Sequence, residues 1–122
     1  MEIKDIAIDF LQLVVAGKIN EAYKMYIDPD FRHHNAYYRG DATSLKAGMI
    51  ENAEQDPHKS LEIQRTICEG NIVAVHSWIR KHPGDNGVSA VHIFKIENSK
   101  IVEMWDIGMP IPANTPNENG VF

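Results

Sequence analysis

Long apolar runs and cysteines are both scarce in this chain. No segment reaches the ~20 consecutive apolar residues that a membrane-spanning helix needs, which argues against a helical membrane protein. Cys68 is the only cysteine, so an intramolecular disulfide is excluded and a reducing compartment is favoured. The first residues mix charged and apolar side chains from Glu2 onward and lack the apolar core of a secretory signal. We therefore expect a cytoplasmic protein.

Basic stripes and phosphate-binding loops are also lacking. The chain has 12 Lys and Arg against 17 Asp and Glu, for a net charge of −5, and its cations are scattered. This pattern disfavours nucleic-acid and anionic-membrane partners. Glycine-rich phosphate loops, a Gly-x-Ser-x-Gly elbow and local His or Cys metal motifs are absent. Nucleotide chemistry is disfavoured.

The 122 residues suffice for one complete domain with a single core.

Apolar residues recur at helical spacing before Gly17 and predict an amphipathic helix: Ile3, Ile6, Ala7, Phe10, Leu11 and Val14. A second helix, capped by Asn20, ends before Asp28-Pro29. A third, capped by Thr43 or Ser44, ends at the Asp-Pro pair of residues 56–57.

After Ser60 the apolar period changes from helical to two. Four strands are predicted in SLEIQRTIC, NIVAVHSWIRKH, VSAVHIFKI and KIVEMWDIGM, separated by turn-forming residues. Helices followed by closely connected strands indicate an α+β fold with an antiparallel sheet. Residues 110–122 are rich in Pro and Asn and predict an irregular tail, whose Phe122 could dock on the body.

The last hairpin carries a histidine and an aspartate on its better core face, the even positions. A three-residue turn around Ser99 pairs even residues with even residues and sets His92 opposite Asp106. A two-residue turn at Asn98-Ser99 is the alternative; it pairs His92 with Trp105 and sends Asp106 to the opposite face. We favour the first register.

The preceding hairpin extends this argument. If PGDNG forms a five-residue turn, Trp78 lies opposite His92 and His76 lies opposite Phe94. His76, Trp78, His92 and Asp106 would then share one concave face.

A carboxylate on an apolar wall is suited to general acid-base chemistry, and a neighbouring histidine can orient it or carry a proton. The structural alternatives are a strand-end Asp106 that accepts backbone hydrogen bonds and a core His92 without a reaction to perform. One of His33 and His34 can enter the same cavity, since consecutive residues of an extended chain point in opposite directions. Tyr37 and Tyr38 either line the pocket or pack.

A metal site made from His34, His76, His92 and Asp106 is chemically possible but lacks a local ligand motif. We therefore predict no metal and no cofactor.

Four segments carry a resemblance to a known family: YIDPDFRHHNAYY, EGNIVAVHSW, HIFKIENSKIVEMWD and NENGVF. In that order they resemble the SnoaL-like polyketide cyclase branch of the nuclear-transport-factor-2-like superfamily, over nearly the whole chain. The resemblance implies a cone-shaped α+β barrel, also described as cystatin-like, with a curved antiparallel sheet wrapped around N-terminal helices. It also implies an open, mostly apolar cavity and a homodimer formed through the sheet.

The resemblance further implies a reaction. In such cyclases an aspartate of the last strand is general acid-base in an intramolecular aldol condensation, accompanied by a histidine of the preceding strand; Asp106 and His92 match. We thus expect a lyase- or isomerase-type enzyme acting on a small or medium apolar or aromatic carbonyl compound. The expected catalytic residues are Asp106, His92 and His34, and the expected substrate-binding residues are Asn35, Tyr37, His76, Trp78, Phe94 and Met104.

Two other hypotheses stay open. The first is a ligand-binding module of the same fold that does no chemistry. The second is a structural dimer whose outer sheet face, with Val91, Ile93, Trp105 and Ile107, is the functional surface.

Overall fold

The computed structural model describes residues 1–122, which form three helices and five strands. The helices are α1 at Ile3–Val15, α2 at Ile19–Tyr26 and α3 at Ala42–Gln55. The strands are β1 at Ile27–His33, β2 at Ser60–Glu69, β3 at Ile72–Arg80, β4 at Val88–Glu97 and β5 at Lys100–Pro110. The predicted α+β class is confirmed. None of the three helices has the length and apolar character needed to span a lipid bilayer.

Helix α1 supplies much of the core against the inner face of the sheet. Its apolar stripe places Ile6, Phe10 and Leu11 in the interior. The Phe10 ring meets the edge of Phe94 from β4 at a centroid distance of 5.9 Å and packs on Tyr23 of α2 at the same distance. Burial of each such side chain stabilises the fold by about 1.5–3 kcal/mol, so this stripe fixes α1 across the sheet.

The helix starts differ from the predicted caps. Asp41, rather than Thr43 or Ser44, caps α3: its carboxylate accepts a hydrogen bond from the Ser44 backbone N–H at 2.9 Å. This bond lowers the pKa of Asp41. Helix α2 begins at Ile19 after Lys18, without a side-chain cap from Asn20.

The sheet is curved and open, with strand order β1-β5-β4-β3-β2. The prediction of an antiparallel sheet holds for β2 to β5, but β1 pairs with β5 in parallel. Pro29 lies inside β1 and is tolerated there because β1 is an edge strand. The strand begins directly after α2 and places the segment from His33 onward beside Met104 of β5.

The β4–β5 hairpin combines a two-residue turn with a bulge. Asn98 and Ser99 both have positive φ, 50° and 63°, as in the turns that suit hairpin twist. Ile96 therefore pairs with Ile101, yet Lys95 pairs with Glu103, which leaves Val102 as an extra residue. The predicted three-residue turn is wrong. Its predicted consequence is right, because the bulge restores the even-to-even register.

The β3–β4 hairpin has the opposite parity from the one predicted. Trp78 pairs with Ser89 and His76 with Val91, while Val75 lies opposite His92. The last pair before the turn is Ile79 with Val88, so eight residues, 80–87, lie between the paired positions instead of the five of PGDNG. Within this connection Asp85 accepts a hydrogen bond from the Lys81 backbone N–H at 2.8 Å. An odd change in register moves every side chain to the other face.

Candidate active site

His92 and Asp106 lie directly opposite each other on β4 and β5. His92 Nε2 is 3.4 Å from Asp106 Oδ1, slightly long for a hydrogen bond. The second carboxylate oxygen, Oδ2, accepts a hydrogen bond from Asn35 Nδ2 at 2.8 Å. The carboxylate of Asp106 is therefore oriented from two sides, and part of it remains open to solvent.

The loop after β1 holds Asn35 in place. The amide oxygen of Asn35 accepts a hydrogen bond from the Tyr37 backbone N–H at 3.0 Å, which leaves its NH₂ group to face Asp106. His33 Nδ1 accepts from the Asn35 backbone N–H at 3.1 Å, and His33 Nε2 lies 2.5 Å from the Arg39 carbonyl. These contacts assign His33 as the neutral tautomer with its proton on Nε2. Buried His33 thus braces the loop that presents Asn35.

Burial controls the charge of His92. Desolvation lowers the pKa of this imidazole, and the nearby negative charge of Asp106 opposes that effect. His92 is therefore neutral near pH 7. We assign its proton to Nε2, which faces the carboxylate; Nδ1 is then a bare acceptor, and it is buried without a hydrogen-bond partner.

A mostly apolar cavity of about 150 Å³ opens beside these three residues. It is lined by α1, α3, the inner face of the sheet and the connections on either side of α3: Phe10, Leu11, Val14, Val15, Asn35, Tyr38, Leu45, Met49, Asn52, Lys59, Ile79, His92, Met104 and Asp106. A larger depression of about 480 Å³ lies outside, near Gly17 and Ile50, and has neither histidine nor an aromatic side chain. Only the smaller cavity joins apolar walls to a few convergent polar groups, as small-molecule sites do.

The Tyr38 ring forms one wall of the cavity and packs on Gly48 of α3. A Cβ at position 48 would approach the ring to 2.3 Å, so a larger residue there would displace the ring from this position. Glycine inside a helix costs about 1 kcal/mol relative to alanine, and the contact with Tyr38 explains the presence of Gly48 in α3.

The comparisons with known proteins agree with this fold. A family model described as SnoaL-like domain matches residues 7–104. This chain belongs to the SnoaL-like domain family. The family match confirms the resemblance noted in the sequence. The matched residues include His92 but end two residues before Asp106. None of the curated proteins compared with the chain matches it.

Solved structures related to this SnoaL-like protein share its fold at low sequence identity. An NTF2-like protein of unknown function from Cytophaga hutchinsonii has a TM-score of 0.73 at 14% identity, covering 90% of this chain and 92% of its own. A cystatin fold protein from Novosphingobium aromaticivorans has a TM-score of 0.73 at 18% identity, covering 88% and 98%. A "putative polyketide cyclase" from Acidithiobacillus ferrooxidans has a TM-score of 0.69 at 20% identity, covering 87% of each chain. At these identities the likeness shows the fold alone.

The prediction that His34 enters the site of this SnoaL-like protein is wrong. His34 lies on the outer side of the sheet, where its Nε2 is 2.6 Å from Glu103 Oε2 and its ring stacks on Trp105 at 5.1 Å. The His34 contact is the main reason that the pKa of Glu103 is lowered. Alternation along the chain turns His33 inward instead, as a brace for Asn35.

The prediction that His76 and Trp78 line the cavity is also wrong, because both lie on the outer face of the sheet. His76 contacts Ser89 Oγ at 2.9 Å and Arg65, and burial together with the Arg65 charge lowers its pKa. Trp78 donates its indole N–H to the Asn86 carbonyl at 2.9 Å. The ring of Phe122 packs against both, so the predicted docking of the tail occurs on this face.

The remaining predicted residues divide between cavity and core. Asn35 and Met104 line the cavity. Phe94 is fully buried beside His92, with ring centroids 6.2 Å apart, but it packs in the core instead of lining the cavity. Tyr37 is 91% exposed, and its neighbour Tyr38 takes the cavity position.

The hypothetical metal ligands do not meet. His34 and His76 lie on the outer face, whereas His92 and Asp106 lie on the inner face. No group of three or more His, Cys, Asp or Glu side chains lies close enough to hold a metal ion.

Proposed function

We propose that this SnoaL-like protein is an enzyme that moves a proton at the carbon next to a carbonyl group, with Asp106 as general base and acid. The observation that carries the proposal is the carboxylate of Asp106 facing an apolar cavity while Asn35 and His92 orient it. A positioned carboxylate accelerates proton transfer by roughly 10²–10⁴-fold.

The surrounding groups suit this role. Neutral His92 supports the carboxylate through its Nε2–H without supplying a full positive charge that would reduce its basicity. Asn35 has a second N–H on the nitrogen that binds Asp106, and this N–H can donate to a substrate oxygen that becomes enolate-like. In this proposal Asn35 holds the substrate oxygen without His34, which contacts Glu103 on the outer side of the sheet.

The volume of the cavity limits the substrate. A cavity of about 150 Å³ is sufficient for a molecule the size of benzene. The proposal is therefore an aldol-type cyclisation, or a related isomerisation, of a small carbonyl compound, without a cofactor. The cyclase name of a related structure supports this class of reaction.

Deuterium exchange tests the proposal without knowledge of the natural substrate. Cyclohexanone is incubated with the protein in D₂O, and the loss of its protons next to the carbonyl is followed by NMR. Asp106→Asn should lower the exchange rate by roughly 100-fold or more. Asp30→Asn, at an exposed carboxylate of β1, is the matched control and should leave the rate unchanged. Equal rates for wild type and Asp106→Asn would reject the proposal.

A second candidate is a non-catalytic binding module of the same fold. It is favoured by the hydrogen bond between Asn35 and Asp106, because one carboxylate oxygen already has a partner within the protein. Saturable ketone binding that never accelerates deuterium exchange would support this candidate over the enzyme.

We also propose a homodimer through the outer sheet face. Ile67, Ile107 and Met109 expose large apolar side chains there, more than an isolated sheet face needs. Sedimentation should give twice the monomer mass for wild type and the monomer mass for Ile107→Arg. A monomeric wild type would contradict this assembly.

A further inference from the structure

Lys59 is the one cationic side chain that lines the cavity. It lies in the connection between α3 and β2, directly before Ser60, and it is half-buried. Neither the side-chain hydrogen bonds nor the ion pairs of the structure include its ammonium group. The Lys59 side chain is therefore part of the wall of an apolar cavity, and its ammonium group has no hydrogen-bond or ion-pair partner in the protein. Lys59 also lines a neighbouring depression together with Asp56.

The charges around Lys59 do not fully compensate the partial loss of water from its ammonium group. Burial lowers the pKa of Lys59, the charge of Asp56 opposes that effect, and the charge of Lys81 adds to it. Partial desolvation of an ammonium is unfavourable unless an anion or acceptor replaces the lost water. An anionic group on a ligand would supply that compensation.

We infer that Lys59 binds an anionic group of the substrate, most simply a carboxylate, so that the substrate class is a small oxo acid. The carbonyl part of this inference rests on the proposed function. Asp106 and Lys59 carry opposite charges on the wall of one cavity. The substrate carboxylate is attracted to Lys59 and repelled by Asp106, so the carbonyl end is directed toward Asn35 and Asp106. Lys59 is thus a specificity residue.

A matched pair of probes separates charge from shape. 4-Oxopentanoate and its amide, 4-oxopentanamide, have nearly the same size and differ in charge. Each is titrated into the full chain, and binding is followed by NMR through the methyl groups of Met49 and Met104, which line the cavity. The variants are Lys59→Met, Lys59→Arg and Lys81→Met. Lys81 does not line the cavity, so its variant is the control for general electrostatics.

Wild type should bind the oxo acid roughly tenfold or more tightly than the amide, as expected for a charge-assisted hydrogen bond. Lys59→Met should remove this preference while keeping its affinity for the amide, which also shows that the variant is folded. Lys59→Arg and Lys81→Met should retain the preference. Equal binding of the two probes by wild type, no saturable binding of the oxo acid, or a preference that survives in Lys59→Met would overturn the inference.

This experiment and the deuterium exchange can fail independently. Exchange of cyclohexanone protons without a preference for the oxo acid keeps the proposed function and rejects the role of Lys59. Preference for the oxo acid through Lys59, with no exchange on either ketone, keeps the binding role and rejects the proposed function.

Discussion

His92 and Asp106 meet across the β4–β5 hairpin because a bulge at Val102 offsets the two-residue turn at Asn98-Ser99. If the number of residues between the paired positions of β4 and β5 were even, His92 and Asp106 would lie on opposite faces of the sheet. Local turn chemistry and the position of the site are therefore linked through a single extra residue of β5.

The Asn98-Ser99 turn can be made more stable without a change in the position of His92 or Asp106. Ser99 has a φ of 63°, a conformation that costs a residue with a Cβ about 1–2 kcal/mol and glycine almost nothing. Ser99→Gly creates the favoured Asn-Gly turn and should raise the free energy of unfolding by up to about 1 kcal/mol. Urea denaturation measures the change, with Ser99→Ala as the control that gains nothing. A less stable Ser99→Gly would contradict the assigned turn.

Gly48→Ala should destabilise the chain although alanine is the better helix former. The added methyl group overlaps the Tyr38 ring, and such overpacking costs about 1–3 kcal/mol. In a Tyr38→Ala background the same change should be neutral or stabilising by up to about 1 kcal/mol. Denaturant unfolding of the four proteins forms a double-mutant cycle. Additive effects would show that the ring does not rest on Gly48.

Stability should fall in mild acid because of His92. Its pKa in the folded chain is held below the usual 6.5, so the unfolded chain takes up a proton at higher pH than the folded chain. The contribution of neutral His92 to the free energy of unfolding is complete above about pH 6.5. It is lost as the pH falls from there through the lower pKa that His92 has in the folded chain. His92→Gln should flatten this dependence in unfolding curves recorded between pH 7 and 5.

The control for this experiment is the exposed residue His58, whose replacement by glutamine should leave the pH profile unchanged. His76 has a shift in the same direction, so a small slope should persist in His92→Gln. A full wild-type slope in His92→Gln would show that His92 is not buried in its neutral form.

Ser77→Ala should be neutral or stabilising. The Ser77 hydroxyl is buried on the inner face of β3 and makes no hydrogen bond. Replacing an unsatisfied buried hydroxyl by a methyl group removes a polar atom that lost its water on folding. Thermal and urea unfolding test this, and a loss above about 1 kcal/mol would reveal a partner of the hydroxyl that stabilises the fold.

Apolar periodicity predicted the elements because both helix and strand faces repeat over short distances. The change of period at Ser60 marked the start of the four antiparallel strands, and inward parity on β4 and β5 paired His92 with Asp106. Strand β1, at Ile27–His33, was not predicted as a strand. The parallel pairing of β1 with β5 joins residues far apart in sequence, and no local pattern specifies it.

Errors in the predicted site arose where one residue of register decides the face. His76 and Trp78 were assigned to the cavity because a PGDNG turn pairs Val88 with His82. Val88 pairs instead with Ile79, and this odd change in register moves both side chains to the outer face. His34 was predicted to enter the site, but His33 points inward instead. Adjacent residues of an extended chain point in opposite directions, so one residue of register decides which histidine is inside. Lys59 lies in a loop outside any periodic segment, so no sequence signal marked it.

A crystal structure of the protein with pentane-2,4-dione, a small dicarbonyl compound that readily forms an enolate, tests the central claim most directly. The account predicts ligand density in the cavity, with one oxygen roughly 2.7–3.2 Å from Asn35 Nδ2 and the central carbon beside the Asp106 carboxylate. An empty cavity, or a ligand bound only in the larger depression near Gly17, would contradict the assignment of Asp106 as the group that moves the proton.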